Sequence, residues 1–339
     1  GLCFVGSDLL CSGDNALLRL SDTNGDGVAD GEPEVWAKLA SAEHGTHGIV
    51  QGPDGSIYVV VGNEAGLSAD QITSPRSPVT QPQCGAILRF TADGKEREVV
   101  AHGFRNSYDL GFDAYGRLWT VDSDGERDQY LPWYSATRLF EVGLGLHHGW
   151  VQRGWQHSWN RPAYFFDAAP RVAEFGRGSP TGLVVYRHRQ FPANYRGLFS
   201  CCWTLGRIYH VALPPLQPTD PPASVEPSLF LETNGKVGFA PVDLAIGRRG
   251  EMYVAIGGRQ TRGGVLKIEY QAGSASASEA EKAEALLTLS SPDRSTSPGS
   301  PDALTRAIDA VQPLDSWSRA AVGRLLQGVS RPELVTAAT

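Results

Sequence analysis

Strand-length apolar runs separated by glycine and aspartate turns recur along the first 270 residues. They are SIYVVVG (56–62), AILRFTADGKEREVV (86–100), RLWTVDS (117–123), LVVYRH (183–188), GLFSCCW (197–203), RIYHVAL (207–213), EMYVAIGG (251–258) and GVLKIEY (264–270). Runs this short, with turn residues between them, predict antiparallel strands in a sandwich, barrel or propeller. Three segments are versions of one unit, a glycine turn followed by a strand with an early aromatic: GPDGSIYVVVGN (52–63), FDAYGRLWTVDSD (112–124) and IGRRGEMYVAIGG (246–258). Self-similar strand units stacked about an axis select the propeller. About five such units are counted, so part of one blade is expected to be lacking at, or completed before, Gly1.

The pattern changes after Tyr270. QAGSASASEAEKAEA and SSPDRSTSPGSP read as a Ser/Ala/Pro-rich linker over 271–302. Apolar residues return at helical spacing around Pro313, predicting short helices within 303–339, like the start of a helical array. The expected organisation is therefore a propeller over 1–270, a linker, and an α-helical tail.

Composition narrows the partners. Of 339 residues 41% are hydrophobic, enough for a large core, and the formal charge is -7. No lysine or arginine run could neutralise a track of phosphates, so nucleic acid is not an expected partner. No apolar run approaches the ~20 residues a transmembrane helix needs. The opening at Gly1, without methionine or signal peptide, reads as a processed or truncated start. Five cysteines, Cys3, Cys11, Cys84, Cys201 and Cys202, form no C-x-x-C pair; Cys3 and Cys11 could pair across a hairpin or be small buried residues. Cys201 and Cys202 are strand neighbours facing opposite sides.

Several polar clusters could carry chemistry. In DTNGDGVAD, Asp22, Asn24, Asp26 and Asp30 place hard oxygen ligands around Gly27, a calcium-loop pattern whose twelfth-position acid is replaced by Pro33; the alternative is a solvated Asp turn. EHGTHG sets Glu43, His44 and His47 just ahead of a strand. A histidine beside a carboxylate can be held in one tautomer as a general base, while one of the two can simply fill a hydrogen-bonding niche. Arg105 and Asn106 are adjacent at a loop-to-strand junction and can grip a carboxylate or carbonyl; Asp109 is the expected structural partner of the arginine. VDSDGERD crowds Asp122, Asp124, Glu126 and Asp128 after a strand, as a cation site or a solvated cluster. GLHHGW adds His147, His148 and Trp150, and EFGRGSPTG adds Arg177 and Ser179.

Taken in order, GPDGSIYVVVGN, ILRFTADG, GFRNSYDLGF, GRLWTVDSDGERD, GLHHGW and SPTGLVVYRHRQFPANYRGLF resemble the soluble glucose/sorbosone dehydrogenase family. The resemblance implies a six-bladed propeller using pyrroloquinoline quinone (PQQ) and calcium. The string is more similar still to the propeller of large bacterial proteins named as membrane-bound dehydrogenases, in which HEAT repeats and a c-type haem domain follow. It implies that His44, eight residues before Gly52, is the base that takes a hydroxyl proton while hydride passes to the quinone, with Glu43 as its acidic predecessor. Arg105 and Asn106 match the pair at the quinone, and the segment from Ser123 to Asp128, with Asp122 and Asp124, matches the loop holding the cofactor's calcium. The family's PQQ-binding lysine is replaced by Thr204, and its two nearby arginines by GFAPVDL; Arg177, Arg207, Arg259 and Arg262 are the available substitutes.

The implied activity is oxidation of a sugar or alcohol in the periplasm or at the outer cell face, with a haem domain as electron acceptor. No C-x-x-C-H occurs in the chain. Two other readings stay open on this fold: a calcium-dependent lactonase or hydrolase, and a non-catalytic, calcium-stabilised propeller that binds carbohydrate or protein.

Overall fold

The computed structural model describes residues 1–123, 125, 134–152, 158–160, 168–188, 190–214, 224–235, 238–247, 249–258 and 262–271. The expected linker from 272 on and the helical segment 303–339 lie outside them.

The first sheet is β1 (Leu2–Val5), β2 (Asp8–Gly13), β3 (Ala16–Leu20) and β4 (Glu34–Lys38). The second is β5 (Thr46–Gln51), β6 (Ile57–Val61), β7 (Gly85–Phe90) and β8 (Arg97–Phe104). The third begins with β9 (Leu110–Phe112), β10 (Leu118–Asp122) and β11 (Thr137–Glu141). A two-stranded hairpin of β12 (Trp150–Gln152) and β13 (Ser158–Asn160) intervenes before β14 (Ala173–Gly176) completes it. The fourth is β15 (Pro180–Tyr186), β16 (Gly197–Cys202), β17 (Arg207–Val211) and β18 (Ser228–Glu232), and the fifth is β19 (Pro241–Ile246), β20 (Met252–Ile256) and β21 (Gly264–Ile268). All strand pairs within the sheets are antiparallel, and β1, β5, β9, β15 and β19 pack side by side in that order as the inner strands.

This is a propeller arrangement with five blades among the described residues, not the six that the resemblance implies. The count agrees with the number of self-similar units in the sequence; the sixth blade rested on the resemblance alone.

The continuous apolar runs have a direct cause. Each middle blade is covered on both faces, so both residue sets of a period-2 strand are buried. Along β6, Ile57, Val59 and Val61 enter the core shared with the first blade, while Tyr58 and Val60 enter the core shared with the third. Along β10, Leu118 joins that second core and Trp119 and Val121 join the one facing β15 and β16. The fourth core, between the last two blades, holds Tyr186, Phe199, Cys201, Met252 and Val254. Cys201 lies in it and Cys202 turns to the opposite side, against Gly178, as strand alternation requires. None of the five cysteines is in a disulfide, so Cys3 and Cys11 are not bonded to each other. No helix among the described residues is long and apolar enough to cross a membrane.

Candidate functional site

The inner strands enclose a cavity of about 1180 Å³. Glu43, His44, His47, Arg105, Asn106 and Ser123 all line it, so residues spread over 80 positions are brought together. The topology explains this, because the segments that lead into β5 and β9, and the one that leaves β10, end on the same side of the sheets.

His44 stands in the loop before β5. Its Nδ1 is 2.7 Å from Asn63 Oδ1, and its main-chain N–H donates to Glu64 Oε2 at 3.4 Å. An amide oxygen can only accept, so Nδ1 carries a proton and, in the neutral ring, Nε2 is the nitrogen with the lone pair. The fixed ring partner is thus Asn63, where the sequence suggested a carboxylate. Gly62 makes this approach possible: a Cβ there would lie 2.5 Å from His44 O and 2.8 Å from Asn106 Oδ1.

His47, buried in β5, places Nε2 2.8 Å from Asn106 Oδ1 and stacks on Tyr108 at 4.2 Å between ring centroids. Burial lowers its pKa to about 4, so the ring is neutral at ordinary pH.

Arg105 is buried, with Nη1 donating to Ser123 Oγ at 2.9 Å and its guanidinium 5.5 Å from the Trp150 ring centroid. Its main chain is pinned by Asp122, which is fully buried and accepts the N–H groups of Arg105 at 2.9 Å and Asn106 at 2.8 Å. Both Asp122 oxygens therefore anchor the loop that carries the Arg-Asn pair.

Asp109 accepts from two main-chain groups rather than pairing with Arg105 as expected. They are its neighbour Leu110, and Leu183 across in β15, both at 2.8 Å. Burial, and then the charge of Asp243 on β19, push Asp109 up to about 7; burial also raises Asp243. Glycines make room for both carboxyls, since a Cβ on Gly48 would sit 2.5 Å from Asp109 Oδ1 and one on Gly182 would sit 2.7 Å from Asp243 Oδ1. Both acids line the same cavity.

A family model for a domain of unknown function, DUF7133, matches residues 1–257. The chain belongs to the DUF7133 family. No curated protein matches the sequence. Solved structures share the fold. The PQQ-bound aldose sugar dehydrogenase of Streptomyces coelicolor is 18% identical, with 77% of this chain and 74% of that one covered and a TM-score of 0.51. The soluble aldose sugar dehydrogenase of Escherichia coli, in its apo-form, is 14% identical with 77% and 76% covered and a TM-score of 0.52. A protein titled glucose dehydrogenase is 16% identical with 79% of each chain covered and a TM-score of 0.58.

Other residues singled out in this DUF7133 chain lie elsewhere. Arg177 sits in a separate small crevice beside Cys202, stacked on Tyr134 at 5.0 Å. Asp22, Asn24, Asp26 and Asp30 occupy the exposed β3–β4 connection and turn onto its own backbone. Asp22 accepts from Gly25 at 2.7 Å and Gly27 at 2.9 Å, and Asp30 from Thr23 at 2.8 Å. Asp124 and Asp128 lie outside the described residues. Among the described residues no three carboxyl, imidazole or thiol groups converge to hold a metal ion. The sequence reading missed Asn63 and Asp243. Asn63 closes the GPDGSIYVVVGN unit at the rim that carries His44, which was a usable signal.

Proposed function

We propose that this chain is a quinoprotein-type dehydrogenase that oxidises a neutral sugar or alcohol, with His44 as the base. The observation that carries the reading is the pairing of His44 Nδ1 with Asn63, in a cavity whose wall also holds Arg105 and Asn106. A base for a hydroxyl proton needs a ring fixed in one tautomer with the other nitrogen open, and this pair supplies it. The solved structures that share the fold include a PQQ-bound sugar dehydrogenase, which makes PQQ the cofactor of choice.

The residues present fit such a group at one end of the cavity. Arg105 offers a guanidinium for a carboxylate, held in place by Ser123, and Asn106 Oδ1 is taken by His47, which leaves the amide NH₂ as a donor. When bound, PQQ supplies a two-electron acceptor for the hydride leaving the alcohol carbon. His44 Nε2 accepts the hydroxyl proton, and Arg105 and Asn106 orient the acceptor. No step is assigned to calcium. It enters the proposal through the oxygen-rich sequences of the 22–30 loop and of the segment reaching Asp124 and Asp128. An extracytoplasmic location and an external haem acceptor go with the same reading.

A second reading, a carbohydrate-binding propeller without cofactor, is favoured by Asp109 and Asp243 in the cavity wall, because PQQ carries three carboxylates.

Titration of metal-stripped protein with PQQ, with and without calcium, followed by absorbance and by dye-linked turnover over aldoses and alcohols, tests the proposal. Micromolar PQQ binding with turnover, and a melting temperature raised by calcium, is the expected result. A folded protein, still stabilised by calcium, that binds a sugar but not micromolar PQQ would establish the second reading instead.

A further inference from the structure

We propose that His47 is a positioning residue that fixes the side-chain amide of Asn106 with its NH₂ group presented to the cavity ligand. This rests on the reading of the cavity as a quinone site. The carboxamide ends are nearly the same size, so an unrestrained Asn106 could offer either an acceptor or a donor. Two contacts hold the residue in place and a third decides which end faces the ligand. Asp122 holds the Asn106 main-chain N–H at 2.8 Å, Gly62 gives Oδ1 a close berth without a side chain, and His47 Nε2 sits 2.8 Å from that oxygen.

The imidazole is itself held. Its ring lies on Tyr108 at an interplanar angle of 23°, its carbonyl accepts from Ser12 Oγ at 3.2 Å, and the next residue, Gly48, donates its N–H to Tyr108 O at 3.0 Å. A neutral imidazole has a single N–H, and only with that proton on Nε2 can it donate to Asn106 Oδ1. The ligand then meets a donor, and its matching atom is an acceptor: a carbonyl or carboxylate oxygen. A hydroxyl-rich sugar, which can give or take a hydrogen bond, needs no such fixing. Hence His47 serves the acceptor-only face of a quinone or its carboxylate.

The test is PQQ affinity, read by quenching of intrinsic tryptophan fluorescence, for His47→Leu, His47→Gln, Asn106→Ala and the His47→Leu/Asn106→Ala pair. His47→Leu should weaken PQQ binding about tenfold, with the loss falling on affinity far more than on the rate at saturation. His47→Gln, whose amide can still donate to Asn106 Oδ1, should stay within about threefold of wild type. In the Asn106→Ala background the His47→Leu effect should vanish. Equal losses for Leu and Gln, or an undiminished Leu effect without Asn106, would overturn the assignment. Long-range ¹H–¹⁵N correlation on the wild-type protein reads the tautomer directly and needs no cofactor. Protonation at Nδ1 in place of Nε2 also overturns the assignment. If wild type fails to bind PQQ, the quinone reading falls, and this spectrum still decides whether His47 holds Asn106.

Discussion

His44→Ala is expected to lower turnover at saturating PQQ and substrate by roughly 10²–10⁴-fold, the usual share of a positioned general base. PQQ affinity should change little, because the quinone-holding groups are Arg105 and Asn106, which Asp122 anchors independently of His44. Asn63→Ala should give a smaller loss, since the ring stays but its tautomer is released. Stopped-flow reduction of the bound cofactor separates the base's step from reoxidation. Full-rate reduction in His44→Ala would move the base elsewhere, and Glu43, which lines the same cavity, is the next variant to make.

The pH dependence of stability should be dominated by Asp109. Its pKa is about 7 in the folded protein, against about 3.9 in an unfolded chain. Between those values the folded state binds the extra proton, so stability falls as pH rises from 4 through 7, then levels once both states are ionised. A shift of that size costs up to about 4 kcal/mol at pH 8, or roughly 10 °C in melting temperature for a domain this large. Burial raises Asp243 as well, and it adds a slope of the same sign. Calorimetry from pH 4 to pH 8 checks this. Asp109→Asn should flatten most of the slope while melting lower than wild type at pH 4–5, because its NH₂ cannot accept the Leu183 N–H that Asp109 Oδ2 receives. A wild-type protein equally stable at pH 5 and pH 8 would sink the argument.

Most of the architecture was legible because propeller blades are repetitive and covered on both faces. The run IYVVV in β6 has no polar alternation, since Tyr58 and Val60 feed one core and Ile57, Val59 and Val61 another. The self-similar units gave the observed number of blades; importing a sixth from the resemblance did not. In the site, His44, Arg105, Asn106 and Ser123 are grouped by the family resemblance, and they share one cavity because each borders an inner strand or the strand beside it on the same side. What stayed hidden was which way each carboxylate turns. Asp122 looked like a cation ligand in an acidic run, yet its oxygens face the amides of Arg105 and Asn106. Asp109 looked like the partner of Arg105, yet an N–H from another blade, Leu183, takes one of its oxygens. Local sequence cannot show a partner that lies 74 residues away.

The sharing of each core by two blades also sets how the molecule can open. A middle strand such as β6 or β10 cannot separate without breaking two cores at once. Among the described residues the first and fifth blades each contribute to one core, and Leu2 and Phe4 of β1, and Val265 and Leu266 of β21, are exposed. Amide hydrogens should therefore exchange soonest in the two end blades and last in β6, β10 and β16. The cavity wall combines both regimes. Arg105 and Asn106 are tied to the slow third blade by Asp122, whereas Asp243 belongs to the fifth. The sides of the cavity formed by β1 and β19 are thus the ones that fluctuate first.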